Sequence, residues 1–258
     1  MEHADIWDEE AARRYDTPGV GMFAPEVLGP TVERLRGLVG DGGALEMAIG
    51  TGRVAVPLAE AGVPVAGIEL CQPMIDQLRT KAGAREIPVV LGDMAEARVE
   101  GRFDLVFLVF NGISNVLTQD AQIAVFENAA RHLAPGGRFL IELWVPDLRA
   151  LPPGRPGSVF AAAPGYLAAD IFDPVAQHVV SHHVTFDREG GTSARIFRSP
   201  HRYVWPAELD LMARMAGFTL ESRHGGWSNE PFTVDSRDHV SVYRLEQRPH
   251  GPPSLVTR

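Results

Sequence analysis

Five short apolar runs, at residues 44–49, 64–68, 87–91, 103–110 and 137–144, alternate with helical patterns at 53–61, 73–82 and 119–133. Each run is apolar on both faces, which suits a strand covered by helices on both sides of a sheet. A strand with one wet face alternates apolar and polar residues instead. The alternation therefore restricts this part of the chain to a doubly wound, mostly parallel α/β sheet. The last helical pattern runs into Ala134-Pro135-Gly136-Gly137, a helix stop followed by a turn.

The flanks read differently. Residues 1–38 look helical, with Ile6, Trp7 and Tyr15 in a first segment and Val27, Leu28, Val32, Leu35 and Leu38 in a second stripe. Pro18-Gly19 separates the two. Residues 146–165 are rich in proline (Pro146, Pro152, Pro153, Pro156, Pro164) and read as a surface connection or lid. β-rich runs follow at 166–172, 177–187 and 192–205, with a turn at Glu189-Gly190-Gly191. A helix at 206–216 begins at Pro206 with Glu208 in its first turn, and strands at 218–224 and 238–245 bring the main sheet to seven. The expected division is a helical cap at 1–40, a sheet core at 41–145, a β-rich insertion at 146–205, a completing segment at 206–248 and a flexible tail at 249–258.

Charge narrows the partners. The 258 residues carry a formal net charge of -9, a field that opposes phosphate backbones and anionic membrane surfaces. Neither a nucleic acid nor a membrane is expected as a partner. Cys71 is the single cysteine, so no intrachain disulfide or cysteine zinc cluster can form. Met1-Glu2-His3-Ala4-Asp5 lacks a basic-then-apolar leader, and no stretch approaches the roughly 18 consecutive apolar residues of a membrane span. A cytoplasmic protein, monomer or homodimer, is the expectation.

Three strand ends carry chemistry. Glu46-Met47-Ala48-Ile49-Gly50-Thr51-Gly52-Arg53 closes the first strand and opens a helix. Glycines there let the backbone approach a ligand, and the exposed helix N–H groups add positive potential. Glu69 ends the second strand, at a spacing from the glycines that suits ribose hydroxyls. Leu91-Gly92-Asp93-Met94 ends the third, where the acid can meet an adenine amino group. These ends converge on the carboxyl edge, where such sheets bind ligands. Gly50-x-Gly52-x-x-Ala55 also fits a relaxed dinucleotide fingerprint, so a nicotinamide dinucleotide is a formal competitor; Glu46 suits an ammonium better than a pyrophosphate.

In this order, Glu46-x-Ala48-x-Gly50-Thr51-Gly52, Glu69, Gly92-Asp93-Met94 and Phe103-Asp104-Leu105-Val106 resemble the successive motifs of class I S-adenosylmethionine-dependent methyltransferases. Ala130-Arg131-His132-Leu133-Ala134-Pro135-Gly136-Gly137-Arg138-Phe139 resembles the family's entry into its fifth strand, and the matches span roughly residues 40–145. Ala48 departs from the motif's usual glycine. The resemblance implies a Rossmann-like fold with S-adenosyl-L-methionine as cofactor and S-adenosylhomocysteine as product. By position, Glu46 then lies near the methionine ammonium; Ala48, Gly50, Thr51, Gly52 and Arg53 form the turn beneath the methionine and ribose. Glu69 holds the ribose, Leu70 and Met74 pack on adenine, and Asp93 and Met94 bind its edge. Phe110 and Asn111 face the sulfonium, and Tyr15 with Arg13 close over the methionine carboxylate.

The acceptor is less legible. Val109-Phe110-Asn111-Gly112 lacks the Asn/Asp-Pro-Pro-aromatic motif of exocyclic base methylation, which with the negative charge argues against a nucleic-acid substrate and leaves a protein substrate open, though no arm for peptide docking is visible. The expected acceptor is a small molecule methylated on oxygen, nitrogen or carbon. The insertion resembles the lid of natural-product enzymes, including those acting on amino sugars. His201 is either a general base near neutral pH or a strand-surface histidine, and Trp227 and Phe232 either line an acceptor pocket or are core. His178, His182 and His183 alternate along a strand below Asp170 and Asp173, yet no metal is expected. An oxidoreductase of the nicotinamide type and a silent cofactor-binding relative stay open as competitors.

Overall fold

The computed structural model describes residues 8–151, 153–186 and 193–246. Ile6, Trp7, Pro152, the turn at 189–191 and the tail at 249–258 lie outside the described residues.

A seven-stranded sheet forms the centre. Its strands are β1 (Ala44–Met47), β2 (Val65–Glu69), β3 (Val89–Leu91), β4 (Phe103–Leu108), β5 (Leu133–Trp144), β10 (Phe218–His224) and β11 (Asp238–Leu245). They are ordered β10-β11-β5-β4-β1-β2-β3, and only β11 runs against the rest. The doubly wound expectation holds in this sheet. After β3 the chain returns to the other side of β1, so the carboxyl ends of β1 and β4 border the crevice where the winding reverses.

Helices cover both faces, which is why β1 and β2 are buried throughout. On one face α5 (Gln119–His132) and α6 (Pro206–Met215) pack Phe126, Leu209 and Met212 against Leu45, Met47 and Phe139. On the other, α2 (Pro25–Arg36), α3 (Ala55–Glu60) and α4 (Gln72–Arg79) bring Leu35, Leu58 and Leu78 against Ala44, Leu105 and Phe107. Local chemistry sets the ends: Thr118 accepts from the Ala121 N–H at 3.2 Å at the start of α5, and α2, α4 and α6 each carry proline in the first turn.

The insertion forms a second, antiparallel sheet in the order β6 (Gly157–Ala163), β7 (Tyr166–Asp173), β8 (His178–Phe186) and β9 (Ala194–Arg202). Here one expectation is corrected. Residues 157–163, read as connection because of the surrounding prolines, form a strand, because Gly157 allows close approach to Asp170 and the prolines flank the strand instead of interrupting it. The expected turn at 134–137 is also refined: β5 starts at Leu133, but between the pairs Phe103–Leu133 and Leu105–Arg138 the register slips, and residues 134–137 bulge past Asp104.

Candidate active site

Two cavities open at the carboxyl edge of the large sheet. The first, about 340 Å³, is lined by Glu69, Leu70 and Met74 after β2, by Asp93 and Met94 after β3, and by Val116–Thr118 and Ala121 leading into α5. The second, about 600 Å³, lies between the sheet edge and the antiparallel sheet. Tyr15, Ala48, Gly50 and Asn115 line both cavities and so mark where they meet.

The glycine turn explains that junction. Gly50 (φ 56°) has open space where a side chain would stand, its nearest neighbour being the Ala48 carbonyl at 4.0 Å. Gly52 (φ 77°) does not line either cavity; a Cβ there would lie 2.7 Å from Leu78 Cδ1, so it fixes the turn from below. Ala48 also has a left-handed backbone, with φ 54°, a conformation that costs an L-residue about 1–2 kcal/mol. The motif's departure from glycine is thus accommodated with strain. Glu69 is bound to the same turn: its carboxylate accepts the Gly50 N–H at 2.8 Å and the Cys71 N–H at 2.9 Å. Each oxygen has further lone pairs for a ligand, and burial raises the pKa of this carboxyl.

Glu46 and Arg53 both face the second cavity. Glu46 is 3% exposed, and its Oε2 has no hydrogen-bond partner among the described residues. Burial pushes its pKa up to about 8 against the pull of Arg53 and the Ala55 N–H. Arg53 donates to the Met22 carbonyl at 3.0 Å and lies 5.4 Å from the Phe110 ring centre. Phe110 and Asn111 both have positive φ, 52° and 61°. Glu142 holds that strained turn, accepting the Phe110 N–H at 2.7 Å and the Trp227 indole N–H at 2.6 Å, while Asn111 Oδ1 accepts the Trp144 N–H. Thr51 donates to Asp16 at 2.5 Å, and Lys81 pairs with Asp16 at 2.6 Å, tying the end of α1 (Glu9–Tyr15) to the turn. This places Tyr15 over the junction, its phenol pushed up to about 12 mainly by burial.

The far wall of the second cavity comes from the antiparallel sheet: Phe160, Ser181, His183, Phe197, Ser199 and His201. Other expectations fall elsewhere. Arg13 pairs with Glu9 on the exposed side of α1 and lines neither cavity. Trp227 packs under Glu142, and Phe232 meets the buried His239 ring, so neither lines the second cavity. Of the three histidines of β8, His178 contacts the Leu117 carbonyl and His183 turns to the cavity. Among the described residues no group of three or more metal-binding side chains is assembled, and no helix is long and apolar enough to cross a membrane.

Residues 44–137 match the family described as a methyltransferase domain. The solved structure of the CcbJ methyltransferase from Streptomyces caelestis is 34% identical, with a TM-score of 0.82 over 96% of this chain and 99% of that one. The chain belongs to the class I S-adenosylmethionine-dependent methyltransferases. The cypemycin N-terminal methyltransferase of a Streptomyces species is 29% identical to this methyltransferase over 94% of its chain and 98% of the relative. A dTDP-4-amino-2,3,4,6-tetradeoxy-D-glucose N,N-dimethyltransferase of Saccharopolyspora spinosa is 33% identical over 57% of this chain and 56% of the relative.

What the sequence did not reveal of this methyltransferase's cavities is the wall at 115–118 and the inward face of the lid. The first comes from an irregular segment after β4 with no motif of its own. In the second, Ser181, His183, Ser199 and His201 sit at every second position of β8 and β9, a period-two signal that reads equally as a wet strand face.

Proposed function

We propose that this methyltransferase moves a methyl group from S-adenosylmethionine to an amine nitrogen of a small-molecule acceptor. The observation that carries this reading is the meeting of the two cavities at Tyr15, Ala48, Gly50 and Asn115, beside the buried side chains of Glu46 and Arg53. An amino-acid end needs one cationic and one anionic partner. Arg53 serves the carboxylate, together with Tyr15, and the unpartnered Glu46 Oε2 serves the ammonium. Glu69 takes the ribose hydroxyls above the open space at Gly50, Leu70 and Met74 flank the adenine, and Asp93 and Met94 meet its edge. Thr51 and Gly52 hold the turn, while Phe110 and Asn111 border the transfer point. When bound, S-adenosylmethionine supplies an electrophilic methyl group on a sulfonium, which a lone pair displaces in line.

The acceptor occupies the second cavity under the lid of β6–β9, with His201 in its wall. The partly aromatic chamber favours a small or terminal group, and three relatives are named for methylation at nitrogen, one as an N-terminal methyltransferase and two as N,N-dimethyltransferases of dTDP-linked amino sugars. The chain's work is alignment and exclusion of water, the main source of rate in such a displacement.

Calorimetric titration with S-adenosylhomocysteine, with the nicotinamide dinucleotide NAD in parallel, tests the cofactor site; micromolar binding of the first alone is expected, and binding of NAD alone overturns the reading. Labelled S-adenosylmethionine offered with a free-amino-terminal peptide and a dTDP-linked amino sugar tests the acceptor, transfer to oxygen or carbon being the contrary result. Glu69→Ala is expected to weaken S-adenosylhomocysteine by about 1–3 kcal/mol, the scale of hydrogen bonds to a charged group. Unchanged affinity removes Glu69 from the ribose.

A further inference from the structure

His183 stands on β8 opposite Ala168 of β7 and Phe197 of β9. Ala168 is fully buried and small, which leaves room for the imidazole on the inward face of the lid. The ring lines the second cavity, whose opposite wall is Glu46, Ala48 and Gly50. Its Nδ1 is 2.6 Å from the Tyr166 hydroxyl. The Tyr166 ring lies nearly parallel to it at 6.1 Å, and Phe160 and Phe197 flank it at 5.8 Å each. Tyr166 is outside the cavity wall, so with Nδ1 turned to Tyr166 the Nε2 edge is the one that faces the chamber.

We propose that His183 is the catalytic proton acceptor of the transfer and that Tyr166 positions it. This rests on the amine reading given above. With Nδ1–H donating to the Tyr166 oxygen, Nε2 carries the lone pair and takes one proton from the acceptor's ammonium. The freed nitrogen pair then forms the N–C bond to the methyl group, the S–C bond breaks, and its electron pair returns to sulfur. The product leaves as an N-methylammonium, and the imidazolium later releases its proton to water, so one proton is liberated per methyl transferred.

Three observations favour His183 for this task. It has a fixed orienting partner, the arrangement that general bases require. It is shielded by three aromatic rings. Burial also holds its pKa below the ordinary histidine value, which keeps it unprotonated at neutral pH. The groups facing it are Tyr166 and Asp170 of β7, His201 on β9, and Glu46, Arg53 and Tyr15 across the chamber, while His182 acts on it from the other face of its own strand. Asp170 acts on it at a distance while accepting the Ser181 hydroxyl at 2.6 Å.

The experiment compares wild type, His183→Gln, His201→Gln and Tyr166→Phe. Each is assayed with the free-amino-terminal peptide or the dTDP-linked amino sugar, whichever the wild type methylates. Measurements are made at about pH 6.5, where an α-amino group is largely protonated, and at about pH 9.5, where it is neutral on its own. S-adenosylhomocysteine binding confirms that each variant is folded. His183→Gln is expected to lose on the order of 100-fold in kcat at the lower pH and to recover most of it at the higher. His201→Gln is expected to change kcat by one factor at both. Tyr166→Phe is expected to move the acid limb of the profile, and NMR titration of the S-adenosylhomocysteine complex is expected to show the same displacement for the His183 ring. An equal deficit for His183→Gln at both pH values, or pH-dependent recovery in His201→Gln instead, overturns the assignment while leaving amine methylation intact. A wild type that methylates neither amine overturns both.

Discussion

Phe126→Ala is expected to destabilise the fold by about 3–5 kcal/mol, the range for truncating a buried phenylalanine. Phe126 is completely buried on the inner side of α5. Its ring meets Phe139 of β5 edge-on at 5.2 Å, Tyr243 of β11 at 5.9 Å and Phe218 of β10 at 6.4 Å. These contacts hold the last two strands of the large sheet to the helix that precedes β5. Edge-to-face pairs add to area burial, and a close-packed core refills such a gap only in part. For a chain of this size the loss corresponds to a fall in Tm on the order of 10 °C, readable by circular dichroism on heating. Phe126→Leu, which keeps most of the volume, should fall between the variant and wild type. A loss below about 1 kcal/mol would mean that α5 does not anchor the second half of the sheet.

The centre of the sheet was legible because β1, β2 and β4 are buried on both faces, and a covered strand accounts for a short run such as Leu105, Val106, Phe107 and Leu108. The cofactor side was legible for a related reason. Glu46 within β1 and Glu69 at the end of β2 are acids in buried runs, where a charge has to serve a purpose, Asp93 follows the exposed end of β3, and all three line the two cavities. β6 was obscured by the prolines around it, since Pro156 and Pro164 mark its ends as strongly as they would mark a loop. His183 was obscured by geometry: whether an alternating strand turns its histidines to a ligand or to water depends on what lies across from it, here a sheet edge far away in sequence. The positive φ of Phe110 and Asn111 had no local signal either. It is imposed by Glu142, 32 residues after Phe110, and by Trp227 behind it.

Glu46→Gln should separate stability from function, with opposite signs. In the free protein the Glu46 carboxyl is buried, and its pKa of about 8 stands well above the ordinary 4.5, because loss of water outweighs Arg53, the Ala55 N–H and Lys81, with Glu69 adding to the rise. Between those two values the native state holds a proton that the unfolded chain has released. Stability therefore falls as pH rises through that window. Glutamine carries no charge to bury, so the free variant is expected to melt above wild type at pH 8 and close to it near pH 4.5. Binding should respond the other way. A ligand ammonium against Oε2 favours the carboxylate, so S-adenosylhomocysteine is expected to expel the proton and to bind wild type more tightly as pH rises towards 8. Titration in buffers of different ionisation enthalpy reads that proton directly. The variant releases none and binds about 10- to 100-fold more weakly, the scale of losing a hydrogen bond to a charged group. The orphaned oxygen then represents stability given up for recognition, as functional sites commonly require. A variant that binds as tightly as wild type, with the same proton count, would place the ammonium elsewhere in the chamber.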